Sequence, residues 1–488
     1  MDSDKLTFDL ITNAFKNERD TGLLFLEYQM YYRDNAPPVC KYLITKGYFF
    51  EYNPFTALWC EINSTKLNNR ISNWLSSNAT IIIRELAENP NNLEKIQSLS
   101  KQVNQITRFK NLEGVVKSIM TELEDDSIFD KLDKVLPDFL PIKDQHVINL
   151  KTGAVRHRVI SDYFTWECPV KPVKKFSEFF LKTIHSIMCN NPERISYLKK
   201  IMGYSLTGSV EGQSYFIWHG KGSNGKSLIL NMLQAVLGKA CSPVSKGVLV
   251  DCGKKSGNGS EIITLKDLRL GTFSETNKAE SLNEGMLKAI SGGDTFRARA
   301  LYKEEISFKV FMKLIVTTNH KPEFDGSDQG TTRRIKLLPF EAKFVSKNPN
   351  PEKNEFIIIE DLEKTLIEKY LDEFFTFCLE GAIEWYNDKK FNIIPDDVRK
   401  QQEKYIKEQN SFDSWVTEKI VEEKGFKITR SEAYKDYEGF CDEMGVKPQR
   451  KKDFFDKMAD HVGPAVKIHG IMAYNNYKLK TEDDNNFI

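Results

Sequence analysis

The chain has 488 residues, 40% hydrophobic and 28% charged, a globular balance with room for several domains that excludes a disordered or fibrous class. The formal net charge of +1 carries no global basic signature, so any nucleic-acid site has to be local or arise by assembly. The eight cysteines are scattered without a C-x-x-C pair, the start is polar, and no apolar run is long enough to cross a bilayer; a reducing, intracellular, non-secreted setting with no membrane partner is expected.

Residues 1 to about 130 read as mainly helical, with apolar periodicity over 23–32, 67–75 and 93–106. The acidic run Glu122, Glu124, Asp125, Asp126 reads as a solvated helix end rather than a metal site, since no histidine accompanies it. From His146 to Trp166 the pattern shifts to short β-like pieces around Asn149-Leu-Lys-Thr-Gly153, a hairpin signal. Two helical stretches, 176–188 and 195–202, then lead toward a buried strand, Tyr215-Phe-Ile-Trp218.

The most informative stretch follows. Gly220-Lys-Gly-Ser-Asn-Gly-Lys-Ser227 fits G-x-x-x-x-G-K-[ST], the phosphate-binding P-loop. Gly220 and Gly225 permit backbone that a Cβ would forbid, so the N–H groups of Lys221, Gly222, Ser223 and Asn224 can turn around a phosphate. Lys226 reaches the β- and γ-phosphates and the Ser227 hydroxyl ligates Mg²⁺. The flanks agree: a strand precedes, and Leu228, Ile229, Met232, Leu233, Val236 and Leu237 recur at helical spacing, aiming a helix N-terminus at the anion.

Gly253-Lys-Lys-Ser-Gly-Asn-Gly259 has the composition of a surface loop. Leu268-Arg-Leu-Gly-Thr-Phe273 is the next strand, followed by Ser274-Glu275, and a carboxylate there is placed to hold Mg²⁺ or polarise water. Glu275 stands without a second carboxylate beside it. A short helix over 282–290 carries Lys288, and two strand-like runs, 295–302 and 306–310, form a hairpin with Arg297, Arg299 and Lys303 on or near its tip. Phe311-Met-Lys-Leu-Ile-Val-Thr-Thr318 is the strongest strand signal; Asn319 after it is either a turn former or a group that holds the γ-phosphate or water. Arg333-Arg334, in a loop, suits either a solvated basic turn or a finger reaching a neighbouring subunit's nucleotide.

In this order the motifs resemble superfamily 3 helicases, specifically the poxvirus-type and satellite-phage-type primase-helicases of large DNA viruses, phages and plasmids. The matching pieces are residues 220–227, Phe-Ser-Glu-Thr (273–276), Lys288 with Gly-Gly-Asp-Thr-Phe-Arg-Ala-Arg (292–299), Val-Thr-Thr-Asn (316–319) and Arg-Arg-Ile (333–335), with Gly203-Tyr-Ser-Leu-Thr-Gly208 as lead-in. The resemblance implies an α/β, AAA+-like P-loop NTPase domain assembled as a homo-hexameric ring on single-stranded and forked duplex DNA, using ATP or another NTP with Mg²⁺. It implies Lys226, Ser227 and Glu275 as Walker A and B residues, Asn319 as sensor 1, and Arg333 or Arg334, preferably Arg334, as the finger. Lys303 would head a DNA-gripping hairpin supported by Lys288 and Arg299. The single carboxylate at Glu275 departs from the two-carboxylate pattern of some relatives. No priming constellation is found at the start, so priming is expected either in another polypeptide, with a primase or polymerase as a candidate partner, or upstream of these residues, and a viral protein of this kind would work at replication sites in host cytoplasm or nucleus.

Beyond the core, 356–386 reads as helical and 399–409 as a polar bridge. A capping box at Thr429 and Glu432, two apolar-faced helices and two strands, 465–469 and 472–479, suggest a winged helix, locally basic through Lys447, Arg450, Lys451, Lys452, Lys457 and Lys467. The expected division is a mainly helical N-terminal domain (1–165), collar helices (166–210), the NTPase domain (211–345), a helical segment (346–408), a winged-helix-like domain (409–481) and an acidic tail (482–488). The leading expectation is an NTP-driven replicative DNA helicase. The rivals are a ring NTPase that loads or packages DNA without unwinding it, and a monomeric metabolic P-loop kinase.

Overall fold

The computed structural model describes residues 7–31, 42–45, 48–125, 127–250, 259–274, 282–299, 305–322, 324, 328–389, 391, 394–445, 448–468 and 470–480. Asp126, most of the 253–259 loop, Glu275, Lys303, Lys447 and the 482–488 tail lie outside them.

A five-stranded parallel sheet organises the centre: β1 (Tyr215–His219), β2 (Cys241–Pro243), β3 (Leu270–Ser274), β4 (Lys313–Thr318) and β5 (Ile335–Pro339), in the order β5-β1-β4-β3-β2. Strands covered on both faces need apolar side chains at successive positions. In β1, Phe216 and Trp218 enter one core while Tyr215 and Ile217 enter the other. The first core is closed by α1 (Glu178–Ile187), α2 (Pro192–Leu206), α3 (Lys226–Leu237) and α6 (Leu371–Asp388), the second by α4 (Glu284–Gly292) and surrounding loops. Between β5 and α6 lies α5 (Leu362–Lys369), packed on α3.

Two buried cations fasten the sheet's N-terminal edge to the end of α2. Arg269 donates to Leu206 O and Phe139 O, each at 2.6 Å, beneath the Trp166 ring. Lys313 Nζ bonds to Thr207 O and, at 3.1 Å, to Phe311 O. A helix C-terminus leaves carbonyls without intrahelical partners and carries partial negative charge, so cations belong there. Burial nevertheless pushes both side chains below their ordinary pKa.

The N-terminal region differs from a mainly helical reading. Helices Ser64–Ala87, Leu93–Ile106 and Phe109–Leu123 share a core, but a three-stranded antiparallel sheet (Tyr42–Thr45, Tyr48–Asn53, Leu58–Ile62) joins them. Its central strand alternates: Phe49 packs into the helical core, whereas Tyr48, Phe50 and Tyr52 pack into the second core of the central sheet. On the Phe49 face Glu51 is buried and pairs with Arg70 (3.3 Å) and Lys66 (4.0 Å), so a carboxylate interrupts the apolar run by which the strand would be read. A second small sheet pairs Phe139–Ile142, His146–Asn149 and Val155–His157. Asp125 accepts bonds from Ser127 and Lys131, which hold its pKa down to about 2.

At the C-terminal side, residues 356–361 are not helical: Glu355–Ile357 forms a strand parallel to Lys343–Val345. The polar bridge over 399–409 is part of one helix, α7 (Asp396–Lys419), which runs through the expected boundary at 408/409. Val398 and Tyr405 belong to the two central cores, and Phe412, Trp415 and Val416 to the C-terminal core, so the helix is continuous packing rather than linker. Beyond it, helices Arg430–Glu443 and Lys451–Val462 cover an antiparallel sheet whose third strand, Ile420–Thr429, carries too many charges to read as a strand from sequence.

Candidate nucleotide-binding site

β1 ends at His219 and the chain turns through 220–225 into α3. The two motif glycines serve different needs. Gly225 takes φ +86°, the left-handed region that favours glycine, as it caps α3. Gly220 is required by crowding: an ideal Cβ there would lie 2.3 Å from both Asn224 Nδ2 and Phe340 O. The loop is pinned at its root by Gly220 N–H donating to Thr318 O (3.2 Å) and at its turn by buried Asn224 donating to Phe340 O (3.1 Å).

Lys226, only 7% exposed, points its ammonium back into this cradle. Nζ lies 2.6 Å from Gly220 O, 3.2 Å from Asn224 Oδ1 and 3.5 Å from Asn319 Oδ1. These partners are neutral oxygens, and burial lowers the pKa of the amine. A desolvated cation facing neutral dipoles is electrostatically complemented by an anion. His219, beneath the loop, is held neutral: burial, then the charges of Lys321 and Lys226, lower its pKa to about 4. Ser227, exposed, begins the first turn of α3 beside Lys226.

The ends of β3 and β4 are level, with Ser274 Oγ 2.9 Å from Thr317 Oγ1, so Asn319 and the end of β3 both approach the phosphate-loop side of the sheet. The structure therefore brings together residues 220–227 and Asn319.

Arg333 and Arg334 lie at the other end. Tyr215 N–H, at the start of β1, donates to Arg334 O (3.0 Å), while the loop begins beyond the end of that strand. Four strand steps span roughly 13 Å. Arg334 Nη1 donates to Gly330 O (2.7 Å), whereas Arg333 is exposed. Neither approaches the phosphate loop of its own chain.

The strands Thr295–Arg299 and Glu305–Lys309 form the expected hairpin. Ala298, Ile306 and Phe308 pack into the second core, and Arg297 and Arg299 project outward. Lys288, on α4, is engaged with the Asp328 carboxylate, which also accepts the Gly330 N–H (2.8 Å); this pair ties α4 to the turn bearing the arginines. In the C-terminal region Arg450 pairs with Asp453 (2.8 Å), Lys451 lies over the Tyr434 ring, and Lys452 is exposed.

Sequence reading missed the far wall of the site. A cavity of about 590 Å³ opens beside residues 222–228 and Asn319, and is closed by Phe344, Ile358, Ile359, Asp361, Leu362 and Glu363. The available signal was Ile357-Ile-Ile359, absorbed there into a helix.

A family model described as "Family of unknown function (DUF5906)" matches residues 218–334. "Putative helicase L207/L206" of Acanthamoeba polyphaga mimivirus is 29% identical over 332 residues, covering 64% of this chain and 33% of its own. "Putative helicase 022R" of Frog virus 3 is 27% identical over 280 residues (54% and 27%), and "Putative primase C962R" of African swine fever virus (isolate Tick/Malawi/Lil 20-1/1983) is 27% identical over 268 residues (52% and 27%). The chain thus spans a third or less of the length of these curated relatives. Among solved structures, the A form apo structure of the NrS-1 C terminal region aligns over 90% of this chain and 96% of its own, at 11% identity and a TM-score of 0.40. The chain is a homologue of proteins of large DNA viruses that carry the names helicase and primase.

Proposed function

We propose that this chain is an NTP-dependent helicase of viral DNA replication, working as a hexameric ring whose nucleotide sites lie between copies. The observation that carries the reading is the opposition across the sheet: the phosphate cradle at the C-terminal ends of β1 and β4, and the Arg333-Arg334 pair at the N-terminal end of β5. A pair that cannot reach its own loop can complete a site only on another copy. The strand order, with β4 between β1 and β3, supports an AAA+-like P-loop NTPase.

Nucleoside triphosphate fits the cradle because the buried Lys226 ammonium has neutral oxygens around it. Ser227 and Glu275 are the residues that would hold Mg²⁺, which when bound supplies charge neutralisation at the β- and γ-phosphates. Backbone N–H groups of 221–225 orient the phosphates, and Lys226 draws charge from the γ-phosphate. Asn319 orients the attacking water, and Arg333 or Arg334 from the neighbouring copy stabilises charge on the transferred group. The hairpin with Arg297, Arg299 and Lys303, supported by Lys288, grips DNA phosphates in the ring, and Arg450, Lys451 and Lys452 add contacts from the winged-helix-like region. A primase or polymerase is the natural partner activity.

The test combines ATP-dependent strand displacement on 3′- and 5′-tailed forks with mass measurement in the presence and absence of ATP. Displacement by an oligomer is expected. Hydrolysis without displacement favours a loading or packaging ring, and hydrolysis by a monomer overturns the ring.

A further inference from the structure

Resting on the proposed nucleotide site, we infer that Tyr405 is a positioning residue for it: from α7, its hydroxyl holds the chain segment that presents Asn319 beside the phosphate loop. Asn319 and His320 are exposed, between the buried end of β4 and the buried Pro322. An exposed side chain that must meet a reacting group needs its backbone fixed from elsewhere, since a misplacement of about 1 Å can cost roughly 100-fold in rate. Behind Asn319, Thr318 Oγ1 accepts the His320 N–H (3.0 Å) and turns the chain out of the strand. Ahead of it, the Tyr405 hydroxyl donates to Pro322 O. Pro322 has a fixed φ and biases Lys321 before it toward extended backbone, so few soft torsions separate the anchored carbonyl from Asn319.

The anchor is itself held on all sides. Tyr405 is fully buried; its ring meets Phe324 edge-on at 5.2 Å, and Lys321 Nζ lies over it at 5.0 Å. Residues on both sides of Pro322 therefore pack on the ring whose hydroxyl takes the Pro322 carbonyl. α7 is fastened to the sheet as well. Gln402, one turn before Tyr405, accepts the Leu337 N–H of β5 (3.0 Å), and Asp397 accepts from the buried Arg194 side chain (2.6 Å). The edge strand and the segment after β4 thus hang on adjacent turns of one helix. The ring supplies the packing, and the hydroxyl adds one directed bond. Removing the hydroxyl alone frees the Asn319 segment without emptying the core.

Steady-state hydrolysis of MgATP by the full chain tests this in a double-mutant cycle of Tyr405→Phe and Asn319→Ala, with a melting curve for each variant. Tyr405→Phe is expected to lower kcat by roughly tenfold with KM within about twofold of wild type, because the phosphate cradle is untouched. In the Asn319→Ala background the same change should alter kcat by less than about twofold, since the group it positions is gone. Pro322→Ala, which leaves Tyr405 in place and frees the backbone, should lower kcat in the wild-type background and add nothing to Asn319→Ala; it carries the test if Tyr405→Phe melts below the assay temperature. Tyr437→Phe removes another buried tyrosine hydroxyl, paired with Ser411 (2.7 Å) in the C-terminal core, and should keep wild-type kcat. Unchanged kcat in folded Tyr405→Phe, or in Pro322→Ala where that variant carries the test, overturns the positioning role and leaves the nucleotide site standing. So does a fall that multiplies with that of Asn319→Ala, or an equal fall in Tyr437→Phe. A wild type that does not hydrolyse ATP, or an Asn319→Ala variant with wild-type turnover, overturns the nucleotide-site reading and the inference with it.

Discussion

The Lys226 ammonium stands 3.5 Å from Oδ1 of Asn319, so the loop after β1 and the end of β4 present one cation and one amide to the same point. Lys226 is buried and its pKa is lowered by desolvation, so its charge is an expense to the free protein. Lys226→Met should therefore reduce ATP hydrolysis by at least about 100-fold while thermal stability of the ligand-free protein changes little. Asn319→Ala should lower turnover with nucleotide affinity retained. Steady-state hydrolysis and a melting curve read both; a large fall in the Lys226→Met melting temperature would make the lysine a structural brace instead.

Arg333 and Arg334 cannot serve the loop of their own chain, and this gives a complementation prediction. Arg333→Ala/Arg334→Ala should lower turnover by about 10³-fold or more with nucleotide binding kept. Mixed with Lys226→Met, it should regain part of the activity, because some interfaces then unite an intact loop with an intact arginine pair. Of the single variants, Arg334→Ala is expected to be the more severe for turnover. The structure adds that Arg334 donates to Gly330 O, so its loss should also loosen the turn, visible as a lower melting temperature.

The turn over 220–225 between a strand and a helix was legible because its signal is local: glycines at fixed spacing between a buried apolar run and a helical periodicity. Asn319 and the arginine pair were legible as positions, but their relation to Lys226 follows from the β5-β1-β4-β3-β2 order, which no local pattern encodes. The strand Tyr48–Asn53 was illegible because Glu51, whose burial depends on pairing with the distant Arg70 and Lys66, interrupts its apolar run. The α7 helix was misread because its apolar residues, Val398, Tyr405, Phe412 and Trp415, are spread thinly over a charged sequence and two separate regions. Residues 357–359 read as part of a helix and proved to be exposed, with Ile358 and Ile359 lining the cavity.

Arg269 should be among the costliest positions away from the site. Its guanidinium bridges Leu206 O and Phe139 O, joining β3 to the end of α2 and to the small sheet before it. Charge-assisted bonds contribute about 1.5–3 kcal/mol each, and their loss strands two carbonyls. Arg269→Ala should destabilise by about 3–5 kcal/mol in urea unfolding, and Arg269→Lys should recover only part, since an ammonium cannot reproduce the fork.

Asp133 links stability to pH. It is buried and accepts bonds from Thr165 N (2.8 Å) and Thr165 Oγ1 (2.5 Å). Burial, reinforced by the charge of Asp267, outweighs those bonds and raises its pKa to about 7. Between the ordinary carboxylate value and about 7, the folded chain then holds a proton that the unfolded chain has released. Stability at this residue is accordingly lost as pH rises through that window, with a limiting slope near 1.4 kcal/mol per pH unit. Asp133→Asn, which keeps an acceptor for the Thr165 N–H and adds a donor for the hydroxyl, should flatten the dependence of melting temperature between pH 5 and 8. An unchanged profile would assign the slope to other groups.

The C-terminal basic cluster makes a separable prediction about DNA. Arg450 is partly committed to Asp453, Lys451 lies over Tyr434, and Lys452 is exposed, so the three differ in their freedom to meet phosphates. Each phosphate neutralised on single-stranded DNA contributes about 0.7 to the slope of log affinity against log salt concentration. Lys452→Ala should lower that slope by about one such step. Arg450→Ala should do so less cleanly, because it also releases Asp453, a like charge that then faces the DNA. Neither change should alter the basal rate of hydrolysis, since both sit outside the phosphate cradle. Salt titrations of an unstructured oligonucleotide on the full chain read the slope directly. An unchanged slope in both variants would assign this surface to contact with a protein instead of DNA.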